Sequence, residues 1–295
     1  MVLNVLEDAT VQTELTQAGV PASKPDTSLK FDGSIPEAYD TKLGPLLFEF
    51  SAADTARRVA DLAPDAAKVL EIAAGTGIST EHLWQSLAPT AEIVATDLSE
   101  DMLNYARQKR GAFPNVTYQQ ADALELPFQD NAFDLIVCQF GIMFFTDKAK
   151  SFSEMARVLK PGGSIAFTVW DSVAHNPIAG IAQTTIETFF ESDPPQFLRV
   201  PWGFSEIEPI RKLVKDAGLV DLEVEVVSKT IERPDAQDVA KGFVEGNPTV
   251  LAIRERATTD PGTVIDAVAE ELKSAFGHGP LQIPLQEIFF SARKA

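Results

Sequence analysis

Between Lys68 and Trp170 the chain alternates short apolar runs with amphipathic stretches, and that alternation limits the folds open to it more than any other feature. Lys68–Ile72, Glu92–Thr96, Val116–Gln119, Phe133–Cys138 and Ser164–Trp170 have the length and apolar content of buried strands. The stretches between them carry helix signals. Ser99 stands as an N-cap before Glu100 and Asp101, and Gly111 follows the end of the same segment. Phe152, Met155, Ala156 and Leu159 recur at spacings of three and four, and that helix is expected to stop at Pro161-Gly162-Gly163. Strands alternating with helices predict an α/β fold, with a doubly wound, mostly parallel sheet and helices on both faces. A helix near 206–217, a strand near 221–231 and a final strand near Ile283–Ala292 raise the expected sheet to seven strands.

Outside this pattern, Pro45 predicts a helix start, with Leu46, Phe50, Ala53, Ala60 and Ala63 as its apolar stripe and Pro64 beyond its end. The expected organisation is an N-terminal arm (1–35), an α/β core (36–175), a helical cap segment (176–205), more core (206–232), a second helical cap segment (233–280) and the last core strand (281–295).

The strongest local signal is Val69-Leu70-Glu71-Ile72-Ala73-Ala74-Gly75-Thr76-Gly77, at the carboxyl end of the first strand. Glycines there let the backbone turn tightly and approach a ligand, and open α/β sheets bind ligands beyond the carboxyl ends of their strands. Twenty positions after Gly77, Asp97 ends the second strand, where a carboxylate can accept from both hydroxyls of a ribose. Together these predict a nucleoside-binding sheet. A dinucleotide fits less well, because the third position of the glycine pattern is Thr80 and the acidic Glu71 before the turn suits an ammonium better than a pyrophosphate.

Four motifs in this order, Val69–Gly77, Ala95–Met102, Gln120-Ala121-Asp122-Ala123 and Leu159-Lys160-Pro161-Gly162-Gly163, resemble those of the class I S-adenosylmethionine-dependent methyltransferases, in particular the branch of the ubiquinone and menaquinone biosynthesis methyltransferases. The resemblance is strong over about 36–175. It departs at Ala73, where the family usually has glycine, and at Glu71, where it often has aspartate. It implies a Rossmann-like sheet, S-adenosylmethionine as cofactor with S-adenosylhomocysteine as product, and methyl transfer to a small molecule. By position, Glu71, Ala73, Gly75 and Gly77 would hold the methionine part, Asp97 the ribose, and Leu98 and Met102 the adenine ring. Asp122 would accept from the adenine amino group with Ala123 beside it, Gln139 and Phe140 would lie near the sulfonium, and Tyr39 would close over the cofactor. A cofactor-binding protein that does not methylate would keep the same motifs, and a nicotinamide-dependent oxidoreductase would keep the sheet and Asp97.

Phe144, Trp170 and Trp202 are candidate walls of an apolar or aromatic acceptor pocket, and His175, just after the fifth strand, is a candidate proton acceptor. The other expectations are exclusions. With 25 basic against 43 acidic residues the net charge is −18, which argues against a nucleic-acid partner. The basic run Arg107, Lys109, Arg110 reads as the cationic last turn of a helix. The single cysteine, Cys138, reads as a buried hydrophobe, and no Cys/His cluster has metal-ligand spacing. With no basic leader and no apolar run long enough to span a bilayer, a cytoplasmic protein is expected.

Overall fold

Strands β1 (Lys68–Ile72), β2 (Glu92–Asp97), β3 (Val116–Gln120), β4 (Phe133–Gln139), β5 (Leu159–Trp170), β6 (Leu219–Arg233) and β7 (Leu281–Lys294) form one sheet in the order β3-β2-β1-β4-β5-β7-β6. This is a computed structural model, and it describes residues 31 and 33–295 except 112 and 234. Most of the expected N-terminal arm lies outside the described residues. The first five strands run parallel, while β7 is antiparallel to both β5 and β6. The chain winds outward from β1 through β2 to β3, then returns to place β4 on the other side of β1. The order reverses between β1 and β4, so the crevice at their carboxyl ends is where such a sheet receives a ligand.

Both faces of the central strands are covered, which explains their nearly continuous apolar character. On one face Val69, Leu135, Val137 and Ala166 pack under Ala56 and Val59 of α2 (Glu49–Leu62) and Leu83 of α3 (Ile78–Ser86). On the other, Leu70, Ile136, Cys138, Ile165 and Phe167 meet Phe152 and Met155 of α5 (Lys148–Val158). Cys138 is buried there as expected, and burial pushes its thiol up to about 12. Helix α4 (Glu100–Arg110) has the expected cap, with Met102 N–H donating to Ser99 Oγ at 3.3 Å.

Two expectations are corrected. Pro45 does not start a helix. A helical run already begins with α1 (Ile35–Ala38), widens into a π-helix over Tyr39–Phe48 that contains Pro45, and continues as α2. The wider π turn accommodates a residue that has no N–H and whose ring crowds the preceding turn. The buried stripe shifts accordingly. Leu46 is buried, but so are Ser51, Ala52, Thr55, Ala56 and Val59, whereas Phe50 is 43% exposed and Ala53 is exposed. The helix expected to reach Pro161 ends at Val158, because Leu159 already pairs with Phe133 at the start of β5.

The strands β6 and β7 pair from Leu219↔Lys294 to Arg233↔Leu281, and α8 (Ala236–Glu245), α9 (Thr249–Arg256) and α10 (Pro261–Phe276) are inserted between them. Helix α10 packs on α8 and on α6 (Pro177–Glu187), and α8 packs on the π-helical run. Helix α7 (Ile207–Asp216) precedes β6. Among the described residues no helix is long and apolar enough to cross a membrane.

Candidate active site

The turn after β1 bends through three residues of positive φ: Ala73 (59°), Gly75 (56°) and Gly77 (80°). Gly77 disfavours any side chain, through its positive φ and because a Cβ there would stand a tight 3.2 Å from Ala106 Cβ and 3.3 Å from the Tyr118 hydroxyl. Ala73 has entered the left-handed region without being glycine, and Gly141 has made room for it. A Cβ on Gly141 would come within 2.5 Å of the Ala73 methyl.

Asp97 joins this turn to β2. Its Oδ2 accepts from Gly75 N–H at 2.8 Å and its Oδ1 from Ser99 N–H at 2.8 Å. Burial raises its pKa, and those amide bonds oppose the rise. Leu98 beside it is 65% exposed, an apolar side chain left facing outward at the ligand end of the sheet. Met102 is buried, with its methyl 3.7 Å from where a Gly75 Cβ would be. Asp122 is held close by the backbone, as Ala121 N–H donates to Asp97 C=O at 3.0 Å. Its own Oδ1 accepts from Leu124 N–H at 2.8 Å, while Ala123 is buried.

Glu71 lies beneath the turn and is only 1% exposed. Its Oε2 accepts from the Thr80 hydroxyl at 2.6 Å, while Oε1 has no protein partner. Burial pushes its carboxyl up to about 7. The side-chain amide nitrogen of Gln139, at the end of β4, is likewise buried and unpartnered. Buried polar groups ordinarily find partners, so these two atoms are free to take one from a ligand or from water.

Phe140 follows with φ of 52°, an outlier for a bulky side chain and a form of strain that gathers at functional sites. Its ring stacks on Trp170 at 4.2 Å and 6° and leans on Phe48 at 5.8 Å. Phe48 stacks on Tyr39 at 4.8 Å, and Trp170 leads on to Trp202 at 6.2 Å. Burial, then the nearby charges of Asp97 and Asp40, raise the pKa of the Tyr39 phenol. Phe144 stacks on Phe197 at 5.8 Å. Tyr39, Phe48, Phe140, Trp170 and Trp202 thus form one aromatic series.

His175 stands apart. Its side chain is 55% exposed, and its polar partners are Asp171 at 3.3 Å and Ser172 at 3.3 Å. Phe48, Asp40 and Arg110 were not singled out from sequence. Arg110 does end its helix, in the cationic last turn expected from sequence, but its guanidinium turns inward. Phe48 and Asp40 carry no motif that a spacing argument detects.

Residues 70–167 match the methyltransferase-domain family. That stretch is about a third of the chain. It contains the Asp97–Gly75 bridge, Glu71 and the end of β4. The ubiquinone/menaquinone biosynthesis C-methyltransferase of Saccharophagus degradans is 48% identical over 101 residues, 33% of this chain and 41% of that protein. The demethylmenaquinone methyltransferase of Staphylococcus aureus is 41% identical over 98 residues, again 33% and 41%. The matched stretch therefore spans about two fifths of these curated relatives. The fold is similar to that of the YcgJ protein of Bacillus subtilis, with a TM-score of 0.54 and 20% identity over 82% of this chain and 98% of that one. The matched stretch thus sits in a chain whose fold is similar to that of a solved structure over most of its length.

Proposed function

We propose that the chain transfers a methyl group from S-adenosylmethionine to a small acceptor, apolar or aromatic in character. The observation that carries this reading is the pairing of Asp97, bonded to the Gly75 amide, with the buried and half-partnered Glu71 below the same turn. The residues fit the cofactor. Its ribose hydroxyls suit Asp97, and its ammonium suits Glu71 with Ala73, Gly75 and Gly77 giving close backbone approach. Leu98 and Met102 offer apolar surface to adenine, and Asp122 with Ala123 borders its amino edge. Gln139, Phe140 and Tyr39 are the residues proposed to lie near the sulfonium.

S-adenosylmethionine, when bound, supplies an already activated methyl group, and S-adenosylhomocysteine is the product. The protein's part is then to orient, to desolvate and to hold charge. The continuous stack of Tyr39, Phe48, Phe140 and Trp170 supplies the apolar surface for that desolvation. Phe144, Trp170 and Trp202, together with the cap segments 176–205 and 233–280, are the proposed acceptor walls. His175, exposed and paired with Asp171, is not needed as a base in this reading.

Calorimetric titration with S-adenosylmethionine and with NADH tests the proposal. Micromolar binding of the former, lost in Asp97→Ala and absent for NADH, is expected. Binding of NADH alone would overturn it, and a product without an added methyl group would refute methyl transfer.

A further inference from the structure

Arg110, the last residue of α4, sends its three donor positions to three different parts of the site. Its Nη2 donates to Asp40 in the π-helical run, its Nη1 to Glu81 of α3 at 2.9 Å, and its Nε to the carbonyl of Thr76, inside the glycine turn, at 3.3 Å. The stem of the side chain runs along Gly77, where a Cβ would lie 3.4 Å from its Cγ. Arg110 is 11% exposed and Asp40 5%, and Tyr105 donates a second bond to Asp40 at 3.4 Å. A pair this enclosed differs from a surface ion pair, whose contribution is small. Removing either partner leaves a buried charge without its complement. Only a planar guanidinium reaches three acceptors in these directions, and lysine offers no such fork.

The two ends of this bridge matter to the same crevice. Asp40 is next to Tyr39, whose ring stacks on Phe48 and whose hydroxyl feels Asp97. Thr76 lies between Gly75 and Gly77, so its carbonyl fixes the peptide plane of the turn that Asp97 also holds.

We propose that Arg110 is a positioning residue that couples the closure of the N-terminal helical run to the shape of the cofactor turn, through Asp40 on one side and the Thr76 carbonyl on the other. The inference rests on the S-adenosylmethionine reading of the site. In this arrangement a ligand in the turn and an ordered Tyr39–Phe48 run stabilise each other.

The test uses the full chain and S-adenosylhomocysteine, with binding read by calorimetry and backbone protection by hydrogen exchange. In the wild type, amides of 40–48 and of 75–78 are expected to gain protection together on binding. Arg110→Met and Asp40→Asn are each expected to weaken binding tenfold or more, and the double variant no further than the worse single one. Arg110→Lys should restore little. Asp40→Asn keeps volume and shape, and the wild-type exchange experiment needs no variant at all. Unchanged affinity in Arg110→Met, additive losses in the double variant, or protection confined to 75–78 would each overturn the coupling. If the wild type itself binds neither cofactor nor product, the functional reading falls and the coupling with it. Wild-type binding with indifferent variants refutes the coupling alone.

Discussion

Replacing Glu71 with glutamine should stabilise the ligand-free protein at high pH while weakening its hold on the cofactor. The carboxyl is 1% exposed and is pushed by burial from 4.5 up to about 7. The folded state therefore binds this proton more tightly than the unfolded chain. Stability from this group is full below about 4.5, declines as pH rises, and has been lost once pH passes about 7. A difference of that size corresponds to about 3 kcal/mol at pH 8 and roughly 1 kcal/mol at pH 5. Glutamine has the same shape and no titration. Its amide adds a pH-independent cost of about 1 kcal/mol, because an NH₂ replaces one carboxylate oxygen beside the Thr80 hydroxyl. Urea unfolding of both proteins between pH 5 and 8.5, without ligand, isolates the effect as the change in their stability difference. That difference should move in favour of Glu71→Gln by about 2 kcal/mol across the range. Parallel curves would refute the argument, because they would mean that Glu71 stays ionised at no cost or that water reaches it. The cofactor side has the opposite sign. An ammonium beside Glu71 favours the carboxylate, so wild-type binding near neutral pH should release protons and its measured heat should depend on the buffer.

Gly141→Ala should cost about 1–3 kcal/mol in thermal unfolding, since the new methyl would meet Ala73 at 2.5 Å and the Cys138 sulfur at 2.8 Å. Adding Ala73→Gly should recover much of that loss, and strictly additive effects would count against the contact. Glu287, buried on β7, accepts from the Ser51 hydroxyl and is pushed by burial up to about 7. Glu287→Gln should therefore gain stability over wild type as pH rises from 5 to 8, as Glu71→Gln does, but without changing S-adenosylmethionine affinity. A weakened affinity would place Glu287 in the site.

The parts of the site that were legible in the sequence are those whose signal is local. Asp97 and the glycine turn come from adjacent parallel strands, and a parallel sheet brings strand ends together at one edge, so a spacing along the chain becomes a contact of 2.8 Å. Arg110 shows the opposite case. Its partner Asp40 is 70 residues upstream, and a cation in a run of three near a helix end looks solvated until the tertiary fold encloses it. Pro45 shows a local rule overridden. The preference of proline for a first turn is weaker than the packing of Leu43, Leu46 and Leu47, which carries the helix through it. Phe50 looked like core by its spacing, yet it faces outward with the Lys229 ammonium 3.5 Å from its ring centre. His175 follows the right strand, but the turn over 173–175 aims it at solvent and Asp171, and no periodicity encodes that direction.

Thr80 carries the argument between the two cofactors that such a sheet commonly serves. In a dinucleotide site the third glycine clears the way for a helix N-terminus to face a pyrophosphate, an arrangement that rewards negative charge. Here that position holds a threonine whose hydroxyl is already given to Glu71. The helix start thus faces a second carboxylate close enough to Asp97 for each charge to raise the cost of the other. A pyrophosphate brought to this turn would add negative charge to two acidic groups in a poorly solvated place. A ligand that ends in an ammonium and carries a sulfonium would relieve both. The residue that breaks the dinucleotide pattern is therefore the one that holds the acid in place, and in the proposed reading that departure favours a cationic cofactor.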